Sequence, residues 1–208
     1  MKKIKWNVLI ITCVVTLLPI LFGMSVWNQL PEQIAIHFDL YNQPDNFAPK
    51  WIAVFGLPLM MAGFQVFCCL VTDFQFQRYS GHKKMEQVSK WVIPLISGVL
   101  YFVTLGYGLG WEIDIRRIAI CIVGILFVVL GNYLPKLSYV KNYNFEPEVA
   151  KKINRFMGFG MVIMGILGLI SVLLPPAFSM GWLILLISFG VISSLYAIWL
   201  GKKHQKQS

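Results

Sequence analysis

The sequence predicts an all-α membrane protein: a polytopic six-helix transmembrane bundle with a short structured extracellular loop between helices 1 and 2. Hydrophobic residues make up 57% of the 208 residues and charged residues only 13%, whereas a soluble domain has about 25% charged residues. Six apolar runs are long enough to cross a bilayer, and the basic residues lie almost entirely on alternate connections between them. This composition excludes a soluble globular enzyme, a disordered chain and a disulfide scaffold.

The six runs define the predicted spans. A helix rises about 1.5 Å per residue and the hydrocarbon core is about 30 Å thick, so a span needs about 20 apolar residues. The runs cover residues 7–27, 51–72, 91–110, 118–134, 156–174 and 181–200. None contains Asp, Glu, Lys, Arg or His, which argues against a pump built on charged residues within the membrane. The first run is longer than the apolar part of a signal peptide, and we expect an uncleaved signal anchor.

The distribution of positive charge predicts the orientation. Fifteen of the 18 basic residues lie before the first run, in the second and fourth connections, and in the tail. Because basic loops stay in the cytoplasm, both termini are predicted to be cytoplasmic. The strongly basic inner face fits this rule and contact with anionic lipid, or alternatively a docking surface for a regulator. It gives no reason to expect contact with nucleic acid.

Three polar side chains within the runs are predicted to face the bundle interior: Gln65, Tyr101 and Asn132. They could line the pathway of a small transporter or exporter, which is one alternative function. The sequence has no H-E-x-x-H, no G-x-S-x-G and no phosphate-binding glycine loop, and such motifs mark the commonest catalytic sites. We therefore expect a protein without enzymatic activity or cofactor.

Prolines and glycines within the runs predict where the helices bend and pack. Pro19 and Pro58 predict bends, because proline lacks an amide hydrogen and neighbouring helices must cover the carbonyl that it frees. Gly106 with Gly110, and Gly158 with Gly165, predict seams at which helices approach closely.

The connection between the first two runs, residues 28–50, is predicted to fold back as a compact lid. Ile34, Ile36 and Phe38 alternate with polar or small residues, and this period of two is typical of a strand. Residues 42–45, Asn-Gln-Pro-Asp, are typical of a turn.

Histidine and acidic residues in this lid allow two interpretations. His37 and Asp39 could share a divalent cation, as in a metal-dependent membrane enzyme. Alternatively, His37 and Asp45 form hydrogen bonds within the loop and fix its turns. Lys50 marks the start of the second helix or pairs with Asp45.

Two segments resemble a known family. The lid has the pattern P-x-x-I-x-I-H-F, then a turn, then P-D-x-F-x-x-K, and residues 131–136 read G-N-Y-L-P-K. Together they resemble the SdpI-like family, which includes the immunity protein for the sporulation-delaying toxin, with its associated N-terminal domain of unknown function. The resemblance implies an N-terminal membrane unit at residues 1–72 and an SdpI-like membrane unit at residues 73–208. The family's G-x-R-T-P-W-T-like stretch after the fourth helix is replaced here by an unrelated sequence.

The resemblance implies a non-enzymatic immunity or sensing protein of a Gram-positive cell membrane. It would protect the cell against a secreted membrane-active peptide toxin and could signal to a transcriptional repressor inside. Under this hypothesis the outer residues that contact the ligand are His37, Phe38, Asp39, Pro44, Asp45 and Lys50. The residues that would contact a cytoplasmic partner are Lys136, Lys141, Glu146, Lys151, Lys152 and Arg155. The run Glu146-Pro147-Glu148 is typical of a helix start, so we expect a helix from about Glu146 into the fifth run.

Overall fold

The computed structural model describes residues 4–39, 41–78, 83–136 and 147–205. Its helices follow in the order α1 (Trp6–Leu17), α2 (Ile20–Ser25), α3 (Leu57–Arg78), α4 (Lys83–Gly108), α5 (Ile115–Tyr133), α6 (Pro147–Ser171) and α7 (Pro176–Gln205). Two antiparallel strands, β1 (Gln33–Phe38) and β2 (Pro44–Pro49), form a hairpin between α2 and α3.

Six stretches of helix in the described residues are long and apolar enough to cross a membrane. They are Trp6–Ser25, Ile52–Phe74, Lys84–Gly108, Ile115–Lys136, Glu148–Ser171 and Pro176–Lys203. Each contains most of one predicted run, and the loop between the first two is folded as a hairpin. The predicted fold class is therefore confirmed, and the chain is an integral membrane protein.

Two spans begin much earlier than their apolar runs, by about two turns of helix. The third begins at Lys84 rather than at residue 91, and the fifth at Glu148 rather than at residue 156. Lysine and glutamate are good helix formers, so charged turns continue these helices past the apolar boundary. As a result Glu86 and Lys90 lie on a spanning helix, and Asp73 does too, because the second span continues to Phe74. The prediction that the spans contain no ionisable residue is wrong for the helices as they fold.

The described chain forms two compact units. The first is Met1–Gln75 with Glu86–Arg116, and the second is Phe76–Met85 with Arg117–Ser208. The first unit thus contains the hairpin, α1, α2 and most of α3 and α4, while most of α5 and all of α6 and α7 belong to the second. The family resemblance implies a different division, into residues 1–72 and residues 73–208. That division stays a prediction.

The core of the first unit joins the hairpin to the helices. Leu30 and Ile34 are buried against Val54, Tyr101 and Leu105, so side chains from both hairpin and helices share one apolar cluster. Burying a large aliphatic side chain such as that of Ile34 contributes about 1.5–3 kcal/mol. This apolar contact holds the hairpin on the ends of the helices. We call residues 27–50 the cap.

Each of the three spanning segments of the first unit contains a proline, and two of the carbonyls that these prolines free have a side-chain donor. Pro58 removes the amide hydrogen that would bond the Val54 carbonyl, and the Tyr101 hydroxyl donates to that oxygen at 3.2 Å. Pro94 likewise frees the Lys90 carbonyl inside α4, and the Gln65 amide donates to it at 2.8 Å. The expectation that neighbouring helices cover the carbonyl freed by Pro58 is confirmed. Pro19 lies at the break between α1 and α2.

The second unit packs α5 against α6 along glycines. A Cβ on Gly131 would stand 2.7 Å from the Gly158 carbonyl oxygen, and one on Gly124 would stand 3.0 Å from that of Gly165. The two backbones therefore approach too closely for any larger residue at these positions. The predicted seam at Gly158 and Gly165 is confirmed.

The predicted seam at Gly106 and Gly110 is wrong. Gly110 lies beyond the end of α4 with a φ of +84°, a left-handed conformation that suits glycine in a turn. Gly106 faces the ring of Trp111, which folds back over the helix end. Both glycines therefore shape a turn, and neither serves as a contact between spanning helices.

Candidate functional site

The cap is a regular hairpin with one irregularity. Ile34 pairs with Ala48 and Ala35 with Phe47, and the register shifts on either side of His37. Because the shift falls there, Ile36 and His37 are both exposed rather than alternating between the two faces. The predicted strand is therefore confirmed, and its pairing strand begins at Pro44.

The hairpin tip is built by polar side chains. The Asp39 carboxylate accepts hydrogen bonds from the backbone N–H groups of Tyr41 and Gln43, at 2.9 and 2.8 Å. Asn42 adopts a left-handed φ of +63°, which asparagine tolerates better than most residues. Its side chain donates to the Ile113 carbonyl at 3.0 Å and accepts from the Ile115 N–H at 2.8 Å. The tip is thereby fixed to the segment between α4 and α5.

His37 and Asp45 lie together on the exposed side of the hairpin. The His37 Nδ1 and an Asp45 carboxylate oxygen are 2.5 Å apart, which agrees with the prediction that these two residues hydrogen-bond within the loop. Asp39 is engaged in the turn, and the described residues contain no group of three His, Cys, Asp or Glu side chains placed to hold a metal ion.

The remaining predicted contact residues anchor the base and flank of the cap. Lys50 donates to Glu32 at 2.7 Å and lies 5.0 Å from the centre of the Trp27 ring, so it pairs with Glu32 and not with Asp45. Phe38, opposite Pro44 in the register, packs edge-to-face on Tyr107 with ring centres 4.7 Å apart. These contacts tie both ends of the hairpin to the helices.

The outward surface of the cap carries large apolar side chains. Tyr41 is 71% exposed and Phe47 52% exposed, and Ile36 is also exposed. Such side chains can contact an apolar partner or the membrane surface.

A buried cluster of charges lies at the ends of α1, α3 and α4 that are remote from the cap. The Lys90 ammonium is 2.5 Å from the Asp73 carboxylate and 3.1 Å from that of Glu86. Lys5 donates its side chain to Glu86 and its backbone N–H to Asp73. Only Lys5 is exposed, and the Lys90 side chain is 2% exposed. We call these four residues the ion cluster; two positive and two negative charges make it formally neutral.

The ion cluster was missed by reading the sequence, because its members were counted as solvated charges of a loop. Two spacings could have revealed it. Gln65, Cys69 and Asp73 recur every four residues and so share one face of α3, and Glu86 and Lys90 have the same spacing on α4. When one helix carries a polar face that ends in an acidic residue, and the next carries an acidic and a basic residue one turn apart, a contact between the two helices is indicated.

The predicted interior polar residues fall into different environments. Gln65 and Tyr101 are buried. The Gln65 amide nitrogen lies 2.7 Å from the Thr12 hydroxyl oxygen and 3.1 Å from the Cys69 sulfur, and the Gln65 carbonyl oxygen is buried with no partner in the described residues. Asn132 is exposed and accepts a hydrogen bond from Lys136. Its predicted interior position is wrong, because the neighbouring Gly131 occupies the contact face of α5.

The residues predicted to contact a cytoplasmic partner lie on the surface wherever the structure describes them. Lys136, Lys151, Lys152 and Arg155 are exposed, and α6 begins at Pro147, which confirms the predicted helix start. Lys141 and Glu146 lie outside the described residues. The four basic side chains are therefore accessible to a partner or to anionic lipid headgroups.

Comparison with known proteins identifies one region. Residues 14–62 match a family model described as Domain of unknown function (DUF1648). This match covers the second half of the first span, the cap and the start of α3, and the domain is found in SdpI-like membrane proteins. No curated protein matches the chain, and no solved structure matches it.

Proposed function

We propose that this integral membrane protein recognises a secreted membrane-active peptide at its cap and protects the cell from it, without catalysing a reaction. The observation that carries the proposal is a cap that is folded before any ligand binds and still presents large apolar side chains. A preformed surface loses little conformational entropy on binding. Exposed Tyr41 and Phe47 suit a ligand that is itself partly apolar.

The charge distribution supports an extracellular cap in this proposal. The connections on the cap side carry three basic residues and the opposite side carries fifteen, so the positive-inside rule favours cytoplasmic termini. A secreted peptide would then reach the cap directly. The DUF1648 match across the cap agrees with the SdpI-like resemblance, which implies a Gram-positive plasma membrane.

The ion cluster supports a signalling role for the same protein. Helix α4 carries Lys90 in the ion cluster and Tyr107 against the cap, and 17 residues of helix correspond to about 26 Å. A peptide that shifts α4 at the cap would therefore disturb a buried, formally neutral charge network at the other end. A cytoplasmic regulator, such as the transcriptional repressor implied by the resemblance, would meet the exposed basic residues Lys151, Lys152 and Arg155.

The transporter alternative gains no support from the described residues. Gln65 and Tyr101 already donate to backbone carbonyls that prolines free, so both side chains have a structural task. Asn132 is exposed. The three polar groups that suggested a pathway are thus explained without one.

The experiment is a killing assay in a peptide-sensitive Gram-positive strain that expresses the full chain. Wild-type protein is expected to raise the lethal concentration of at least one membrane-active peptide, and Phe47→Ser is expected to abolish that protection. Leu173→Ser is the matched control, because Leu173 is an 83% exposed apolar residue in the turn between α6 and α7, outside the cap. Equal survival with and without the protein across a broad peptide panel would refute the proposal.

A further inference from the structure

A cavity of about 630 Å³ opens where the tip of the cap meets the segment after α4. Its walls include Asn42, Gln43, Tyr107, Trp111, Glu112 and Asp114. The cavity lies within the first unit and is far larger than a metal ion requires. It is broadly open to solvent rather than enclosed, so only part of a ligand would be covered.

The walls of this cavity are held in place by specific contacts. Both polar atoms of the Asn42 amide bond the backbone at Ile113 and Ile115. The backbone N–H of Trp111 donates to the Gly106 carbonyl at 2.9 Å, and the Trp111 ring lies against Gly106. The Tyr107 ring packs on Phe38. The cavity is therefore a preformed feature of the first unit, between the cap and the segment after α4.

The chemistry of the walls is acidic and aromatic. None of the lining residues is basic. Asp114 pairs with Arg116 at 3.4 Å, whereas the exposed Glu112 carboxylate has no basic partner among the described residues. Aromatic faces attract ammonium and guanidinium groups, and a nearby carboxylate adds to this attraction.

We propose that this cavity binds a cationic side chain, a lysine ammonium or an arginine guanidinium, of the membrane-active peptide. The inference rests on the proposed function and deepens it, because it assigns the peptide a basic residue that seats between Trp111 and Glu112. The exposed Tyr41 and Phe47 would then contact the apolar part of the same peptide.

The test uses the full-length protein in phosphatidylglycerol nanodiscs with 5-fluorotryptophan, and a Trp111→Phe variant assigns the Trp111 resonance. The probe is N-acetyl-lysine amide, and N-acetyl-norleucine amide is its uncharged control. Only the lysine probe is expected to give a saturable shift of the Trp111 resonance. Glu112→Gln is expected to weaken binding by about two- to fivefold, because an exposed ion pair contributes up to about 1 kcal/mol. Glu32→Gln, an acidic residue of the cap outside this cavity, should leave binding unchanged.

The outcomes separate this inference from the proposed function. No saturable shift, or equal shifts with both probes, overturns the cation site even if the protein confers immunity. Binding that depends on Glu112 supports the site even if the killing assay shows no protection, in which case only the immunity function fails. A shift caused by phosphatidylcholine nanodiscs without any probe, unchanged by added lysine amide, overturns the peptide assignment in favour of a lipid headgroup.

Discussion

Replacement of Lys90 by methionine tests whether the ion cluster holds the first unit together. Lys90→Met retains the length of the side chain but leaves the carboxylates of Asp73 and Glu86, 6% and 11% exposed, with only Lys5 as a cation. Removing one partner from a buried ion pair costs about 3–5 kcal/mol of unfolding free energy, because the remaining charge stays desolvated. Lys5→Met should cost only about 0–1 kcal/mol, because the Lys5 side chain is 54% exposed.

The assay is unfolding by sodium dodecyl sulfate in mixed micelles, followed by tryptophan fluorescence for each variant. The double variant Lys90→Met/Asp73→Asn keeps the neutral Lys5–Glu86 pair, so it should lose less stability than the sum of the two single variants. The reasoning is refuted if Lys90→Met destabilises the protein no more than Lys5→Met does. It is also refuted if the two single effects simply add.

Three further predictions concern packing and backbone hydrogen bonds. Gly131→Ala should destabilise the protein by about 1–3 kcal/mol, because the added methyl group overpacks α5 on α6. Gly190→Ala should be neutral, because a Cβ there meets nothing within 4 Å. Equal unfolding midpoints for the two variants would contradict this prediction. Ile34→Ala should lower the unfolding free energy by about 2–5 kcal/mol, because it removes packing from the core. Proteolysis of the cap should accelerate at least tenfold. An unchanged cleavage rate would argue against a core shared by the hairpin and the helices. Gln65→Leu should lower the unfolding free energy by about 1–3 kcal/mol, because the Lys90 carbonyl loses its donor. Pro94→Ala in the same chain should reduce that loss, because it restores the amide hydrogen that Pro94 removes. An identical loss with Pro94 and with Ala at this position would show that the hydrogen bond is unimportant.

The membrane spans and the hairpin could be predicted because each depends on a local pattern. An apolar run of about 20 residues suffices for a span, and the alternation from Ile34 to Phe38 with a following turn suffices for a strand pair. The seam at Gly158 and Gly165 could also be recognised from spacing on one face of α6. In these cases the physical cause lies within a few turns of the chain.

The ion cluster and the cavity could not be predicted in this way, because both depend on distant segments. Lys5 and Glu86 are separated by 81 residues, and counting charges by loops placed both in solvent. Asn42 meets Ile113 across 71 residues, and no pattern in either segment indicates this contact. Asn132 shows the opposite error: polarity within an apolar run suggested burial, but Gly131 determines which face of α5 is in contact.

The two side-chain bonds to carbonyls freed by proline restrict how the first unit can move. Each bond joins the backbone of one helix to a side chain of another, at Val54 with Tyr101 and at Lys90 with Gln65. A piston-like slide by one residue, about 1.5 Å along the axis, would displace both donors from their acceptors. A small rocking of the helices about these two fixed points keeps both bonds. Movement of these helices at the cap therefore reaches their opposite ends more readily by tilting than by sliding.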